Sequence, residues 1–111
     1  MIQEDYVSFE TAKLLKEKGF DEECQKYYGD YKYPCPTLQM AMKWLREEKH
    51  YYIQVMLDGW ACGDHSGYYV VIQKTDSDFE MMLSDAVDEV FYQTYEEACE
   101  AAIKYCIENL I

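Results

Sequence analysis

Residues 94–111, TYEEACEAAIKYCIENLI, are the stretch of this sequence that decides the fold. Thr94 has the side chain of a helix cap, and Glu97 follows three residues later, which completes a capping box. One side of the helical projection is charged, with Glu100 four residues before Lys104, an order that favours their attraction. The other side is apolar and consists of Tyr95, Ala98, Cys99, Ala102, Ile103, Cys106 and Leu110, with Ile107 at its edge. Because this side is wider than a two-helix seam, we predict a helix that lies across a sheet and also touches another helix.

A second helix signal stands near the N-terminus. Ser8 has the side chain of a cap, and apolar residues follow it at helical spacing over residues 9–18. Gly19 suits the left-handed position that ends a helix, and Phe20 is then placed to pack back on Leu15. We therefore predict a helix over residues 9–18.

The next segment is rich in tyrosine and leads to another helix. Residues 21–36 contain Pro34 and Pro36, and proline disfavours both a helix interior and a central strand, so we predict an irregular connection. Thr37 then caps a predicted helix over residues 38–49, whose apolar residues again recur at helical spacing.

The hydrophobic period changes to two after this helix, which indicates β-structure. Residues 51–57 and 68–74 are predicted as strands, and residues 79–84 as a third. Residues 85–93 leave two alternatives open, a short fourth strand or an extended approach to the last helix. The element order is then α-α-β-β-β-α. Short connections favour antiparallel pairing, so we predict one α+β domain over residues 1–111, with helices packed on one face of a sheet of three or four strands.

The charge of the chain is strongly acidic and uneven. The formal net charge is −12 over 111 residues, and residues 76–111 contain ten acidic residues against one base, Lys104. Phosphates would be repelled by this surface, so we predict no direct binding to nucleic acid and favour a partner with a basic surface.

The cysteines and the hydropathy pattern bear on the compartment. The five cysteines cannot all pair within one chain, so we predict reduced thiols, with Cys99 and Cys106 buried in the last helix and Cys24, Cys35 and Cys62 in loops. No apolar run approaches the ~20 residues of a membrane helix, and the N-terminus lacks the pattern of a signal peptide. We expect a cytoplasmic protein without membrane contact.

The most site-like stretch is the loop Cys62-Gly63-Asp64-His65. Cys62 and His65 could supply two ligands of a zinc site, but a structural site needs four. The same two residues could form a nucleophile and a base, but the surrounding acids would raise the pKa of the thiol. The chain contains no common catalytic motif. We therefore predict that the protein is not an enzyme and holds no cofactor or metal, with an enzyme or metal-binding protein that uses this loop as the alternative.

Aromatic and acidic side chains suggest an interaction surface instead. If Tyr52 and Tyr69 fall on the solvent face of the sheet, they would form an aromatic patch beside Trp60. The alternative is that they cover a small core. The acidic residues that complete the candidate surface are Asp76, Asp78, Glu80, Asp85, Asp88 and Glu89.

Three segments also resemble a known family. They are YVSFETAKLLKEKGF near the start, PTLQMAMKWLREEK over residues 36–49 and TYEEACEAAIKYCIENLI at the end. They resemble a group of small uncharacterised proteins of phages, prophages and other mobile elements of gut anaerobes. The resemblance implies a genomic setting and no mechanism.

Three functional hypotheses follow. The first is a phage or mobile-element accessory protein that acts by binding another protein. The second is an acidic mimic of nucleic acid that inhibits a DNA-binding host protein. The third is self-assembly, in which an unpaired edge strand or the tyrosine patch forms a homodimer.

Overall fold

The computed structural model describes residues 2–59, 67–87 and 91–111. Their helices and strands are α1 (Phe9–Glu17), β1 (Lys26–Tyr28), β2 (Tyr33–Cys35), α2 (Leu38–Glu48), β3 (Tyr51–Asp58), β4 (Gly67–Lys74), β5 (Glu80–Met82) and α3 (Tyr95–Tyr105). A short 3₁₀ helix (Leu83–Asp85) follows β5, and a π-helical turn (Cys106–Leu110) extends α3. The predicted α+β class with an antiparallel sheet is confirmed.

Helix α1 begins and ends as its local sequence predicts. The Ser8 hydroxyl accepts a hydrogen bond from the Thr11 N–H at 3.2 Å, which satisfies one of the free donors of the first turn. Gly19 has a φ of 101°, and the Phe20 N–H donates to the Leu15 carbonyl at 3.0 Å. This backward bond satisfies a carbonyl of the last turn and brings Phe20 into the core.

A small hairpin lies between α1 and α2, where the sequence predicted an irregular connection. Strands β1 and β2 pair antiparallel over three residues each, from Lys26 opposite Cys35 to Tyr28 opposite Tyr33. Pro34 lies within β2, and a two-stranded sheet tolerates it because a proline can leave its missing donor on an unpaired edge. The prediction was wrong because three residues are too few to show a period of two. Cys35, expected in a loop, is instead buried in this strand.

The second sheet has the order β3-β4-β5, with both pairs antiparallel. Its register places Ile53 opposite Ile72, and Ile72 opposite Met81, so these three side chains share one face. We call this the inner face. Ile53 and Ile72 are buried, and they belong to the hydrophobic core that includes α2 and α3 residues such as Leu45 and Ile103.

Within 85–93, the described residues include one β-bridge and no strand of several residues. The chain leaves β5 through the 3₁₀ helix and returns to the free edge of β4 at one position, where Tyr92 faces Tyr68 in an isolated antiparallel bridge. Two backbone hydrogen bonds of 2.7 and 2.8 Å close this bridge. Residues 88–90 lie outside the described residues.

Helix α3 begins as predicted but makes a different ion pair. The Thr94 hydroxyl accepts from the Glu97 N–H at 3.1 Å. Glu100, expected to attract Lys104, instead accepts hydrogen bonds from the Ser8 N–H at 2.9 Å and from the hydroxyls of Ser8 and Thr11. The Lys104 ammonium lies 3.1 Å from the Glu10 carboxylate. The charged side of α3 thus contacts the first turn of α1. Glu100 binds there and does not pair with Lys104, because charge-assisted hydrogen bonds to backbone and hydroxyl donors are stronger than an exposed ion pair.

Candidate functional site

The side of the β3-β4-β5 sheet that faces away from the helices forms one continuous surface, which we call the outer face. Side chains alternate between the two faces of a strand, so the pairing register assigns its members. The outer face consists of Tyr52, Gln54 and Met56 from β3, Tyr69, Val71 and Gln73 from β4, and Glu80 and Met82 from β5. Phe91 adjoins them, because its ring packs edge-on against Tyr69 at 6.2 Å between centroids.

The apolar side chains of the outer face do not take part in the core. Tyr52 is 42% exposed, Met56 is 40% exposed and Met82 is 42% exposed. Tyr69 and Val71 are not among the residues that pack against the buried cluster, whereas Val55, Tyr68 and Met81, on the inner face of the same strands, are. Within the described part of the chain, no helix covers this face. Exposed apolar side chains that lie side by side on one face are a feature of protein-binding surfaces.

A polar ladder crosses the middle of the outer face. Gln54 donates a side-chain hydrogen bond to Gln73, and Gln73 donates to the Glu80 carboxylate at 2.8 Å. The ladder spans all three strands, because Gln54, Gln73 and Glu80 come from β3, β4 and β5 respectively. These bonds hold the amides in fixed orientations, so the face presents an ordered pattern of apolar and polar groups.

The predicted aromatic residues share this face but do not form one patch. Tyr52 lies opposite Gln73, whereas Tyr69 lies opposite Met56, four residues further along β3. Four residues of strand correspond to about 13 Å, so the two rings are too far apart to touch. The neighbours of Tyr69 are Met56 and Phe91. Trp60 lies outside the described residues.

Methionines were missed by the sequence reasoning, although a signal existed. Met56 alternates with Val55 in a strand of period two, so the pattern already assigned it to the face that also bears Tyr52. Met82 follows from β5 in the same way. An unbranched, polarisable side chain adapts to the shape of a partner, which makes exposed methionines a useful marker of binding surfaces.

Three of the predicted acidic residues lie in the segments directly before and after β5. Asp76 and Asp78 are exposed in the turn between β4 and β5, and Asp85 is exposed after β5. Glu80 lies on the face itself. The Lys74 ammonium lies 3.7 Å from the Asp76 carboxylate, an exposed pair that contributes little to stability. Asp88 and Glu89 lie outside the described residues.

An open concavity lies elsewhere among the described residues, between the N-terminal segment, β1 and α3. It is an open cleft of ≈ 700 Å³, and five of its lining residues are acidic: Glu4, Asp5, Glu96, Glu97 and Glu100. Lys26 stands at its wall with its ammonium 5.1 Å from the ring centre of Tyr6 and 5.3 Å from that of Tyr28. Among the described residues, no thiol or imidazole lines the cleft, and the Ser8 hydroxyl, which donates to the Glu100 carboxylate there, also caps α1.

Metal binding and thiol chemistry have little support in the described ranges. Residues 2–59, 67–87 and 91–111 contain no group of three or more His, Cys, Asp or Glu side chains that could hold a metal ion. The Cys62–His65 loop lies outside these ranges.

Cys24, Cys35, Cys99 and Cys106 are free thiols. Burial raises the pKa of Cys99 to about 11 and that of Cys106 to about 12, so neither is a reactive thiolate.

These buried thiols predict a loss of stability in alkaline solution. A thiol with an ordinary pKa of 9.0 ionises in the unfolded chain, while Cys106 stays protonated in the native protein to about pH 12. The native state therefore binds more protons between these values, and the free energy of unfolding falls as pH rises, by about 1.4 kcal/mol per pH unit for each such thiol. Urea denaturation at pH 8 and pH 10.5 measures the slope. Cys106→Ala should be less stable than the wild type at pH 8, but its free energy of unfolding should fall less between pH 8 and pH 10.5. An equal fall in both proteins would contradict the raised pKa of Cys106.

The comparisons with known proteins add no relative. The chain matches no protein-family model, no curated protein and no solved structure. The resemblance to phage and mobile-element proteins therefore stays a prediction. Across the described residues, no helix combines the length and the apolar character needed to span a membrane.

Proposed function

We propose that this protein is a binding module that docks another protein on the outer face of the β3-β4-β5 sheet. The observation that carries the proposal is the asymmetry of the sheet. The middle of its inner face is buried in the core through Ile53, Val70 and Ile72, while its outer face bears Tyr52, Met56 and Met82 at about two-fifths exposure each. Tyrosine and methionine are among the side chains enriched in the centres of protein interfaces.

The charges around this face favour a partner with a basic rim. Asp76 and Asp78 precede β5 and Asp85 follows it, and the one base of the neighbouring strand β4, Lys74, projects to the inner face. Such rim charges mainly speed association and select among partners, whereas the buried apolar anchors supply affinity. Binding should therefore slow as salt rises but persist at physiological ionic strength.

The exposed apolar side chains of the outer face favour protein binding over nucleic-acid mimicry. A mimic has carboxylates where nucleic acid has phosphates, but the exposed side chains of this face include the apolar Tyr52, Met56 and Met82. The accessory role in a phage or mobile element, which the sequence resemblance implied, fits a small module that binds a host protein. It remains part of the proposal.

A photo-crosslinking experiment tests the proposal in the cell that makes the protein. A photoreactive phenylalanine replaces Tyr52 in one variant and Lys43 in the control, an exposed residue of α2 on the opposite side of the molecule. Light should join the Tyr52 variant, and not the Lys43 variant, to a second protein, which mass spectrometry then identifies. A product that joins two copies of this chain does not count as a partner.

The same experiment includes a variant that removes the apolar anchors. Met56→Ser and Met82→Ser together remove two exposed side chains without touching the core, so the fold should remain intact by circular dichroism. The crosslinked product should fall at least tenfold, as expected when two anchor residues are lost. Equal crosslinking from residues 43 and 52, or a product that is insensitive to both serines, would overturn the proposal.

A further inference from the structure

We infer that two copies of this chain join through β3, edge to edge and antiparallel, to form one continuous six-stranded sheet. Strand β3 is the eight-residue edge of the sheet, and in the described part of the chain its only neighbouring strand is β4. Natural edge strands are usually protected by lysine, proline, a bulge or a cover. The sequence of β3, YYIQVMLD, contains none of these residue types, and it pairs with β4 without a bulge.

Among the described residues, the hydrogen bonds around the sheet show which backbone groups of β3 point away from β4. The Thr75 N–H donates to the His50 carbonyl at 2.8 Å, so the even-numbered residues of β3 direct their backbone groups toward β4. The Lys74 N–H donates to the Phe79 carbonyl at 3.0 Å. The even-numbered residues of β4 therefore direct their backbone groups toward β5, and its odd-numbered residues direct theirs toward β3. The odd-numbered residues of β3 consequently direct their N–H and C=O groups to the free edge. They are Tyr51, Ile53, Val55 and Leu57.

One symmetric register pairs all of these groups. A two-fold axis at Gln54 places Tyr51 opposite Leu57 of the second copy and Ile53 opposite Val55 of the second copy. Both are hydrogen-bonded pairs of an antiparallel ladder, because each joins two residues whose groups point outward. Moving the axis by one residue in either direction leaves one end of the ladder without a partner. We therefore assign the axis to Gln54.

The side chains agree with this register on the outer face. Tyr52 would lie opposite Met56 of the second copy, a sulfur–aromatic contact between two residues that are about two-fifths exposed in the single chain. Gln54 would lie opposite its own copy, where two amides can exchange hydrogen bonds. On the inner face Leu57, which is 61% exposed, would be covered by Tyr51 of the second copy.

Charge favours this edge over the rest of the surface. The chain carries a net charge of −12, so two copies repel each other at most orientations. Strand β3 has one charged residue, Asp58 at its end, so the two strands meet with no carboxylates opposite each other at the axis. Pairing should therefore strengthen when salt screens the remaining repulsion. This dependence is opposite to that expected for the basic partner of the proposed function, so the two ideas can fail separately.

Light scattering and sedimentation of the purified chain test the inference. The mass should rise from the 13.2 kDa of one chain toward twice that value between about 10 µM and 1 mM, where small interfaces dissociate. The rise should occur at lower concentration in about 0.5 M salt than in about 0.02 M, because the Debye length falls from about 20 Å to about 4 Å. A chain that stays monomeric throughout this range would overturn the inference.

A proline variant tests the strand. Val55→Pro removes a donor that points to the free edge and leaves the bonds to β4 in place. It should remain folded and raise the dissociation constant at least tenfold. Dimerisation at the wild-type strength by a folded Val55→Pro chain would exclude β3 as the contact.

A cysteine variant tests the register and does not depend on the proline variant being folded. In a background with Cys24→Ser and Cys62→Ser, Gln54→Cys places two thiols opposite each other at the axis, within disulfide reach. Mild oxidation should then give a covalent dimer. Gln73→Cys, which makes the same change on the outer face of the neighbouring strand β4, should not. Equal dimer from both variants, or none from Gln54→Cys, would refute the register.

Discussion

Replacing Cys106 with aspartate is expected to cause the largest loss of stability of any change considered, measured at neutral pH. Cys106 has no exposed surface, and burial alone raises the pKa of its thiol to about 12, so its surroundings strongly disfavour a charge. A carboxylate there would be buried without a partner, or would have to protonate at a cost. Substitutions of this kind destabilise by about 4–5 kcal/mol or more, against a typical total of about 5–15 kcal/mol. Urea denaturation followed by circular dichroism measures the change in the free energy of unfolding.

A matched control for this prediction lies in the same turn. Asn109→Asp introduces the same carboxylate three residues away at an exposed position, where it removes one side-chain hydrogen bond to the Tyr105 carbonyl. It should change the free energy of unfolding by less than about 1 kcal/mol. Part of the lost stability of Cys106→Asp should return at pH 4, where the carboxyl group is closer to its neutral form. A thermal melt of Cys106→Asp like that of Asn109→Asp would contradict the buried position of Cys106.

Replacing Phe20 with alanine should be the second most damaging change, with a loss of about 3–5 kcal/mol. Phe20 is 1% exposed, and its ring packs edge-on against Trp44 at 5.4 Å between centroids. Alanine would leave a cavity at the junction of α1 and α2, because the Phe20 backbone is fixed there by its hydrogen bond to Leu15. The denaturant midpoint should fall while its slope stays the same, as expected when stability changes without a change in the unfolded state.

Phe79→Ala is the control for the lost ring. Phe79 is 38% exposed, and its ring contacts Tyr51 at 6.2 Å between centroids. The same loss of a phenyl group should cost less than half as much there, since less apolar area leaves the water on folding. If both substitutions reduced stability equally, Phe20 would not hold the two helices together in the way described.

The helix boundaries could be predicted because the signals that set them are local. Ser8, Thr37 and Thr94 each cap the helix that the sequence assigned to them, and each accepts the hydrogen bond of a residue three positions later. The three strands of the larger sheet were found for a similar reason, since the alternation of side chains spans eight residues in β3 and in β4. The β1–β2 hairpin was missed because its strands have three residues each.

The sequence predicted which face of each strand the candidate side chains occupy, but not which of them are neighbours. The alternation of side chains along each strand placed Tyr52 and Tyr69 on the face opposite to their buried neighbours. It contains no information on which residues of two strands lie side by side. The register decides that, and it separates the two rings while bringing Met56 beside Tyr69. The bond between Glu100 and the first turn of α1 was equally invisible, because Ser8 and Glu100 are 92 positions apart in the chain and no local signal marks their contact.

The amino-acid sequence by itself determined the α+β class, the three caps, the buried side of α3 and the concentration of acid in the last third of the chain. Each of these follows from residues within one or two turns or strands of each other, where propensity, capping and side-chain period act. Only the tertiary structure decided that α2 and α3 pack on the inner face of the sheet and that none of the described helices covers the outer face. Burial depends on which elements meet, and that choice is set by the summed packing of residues far apart in the chain.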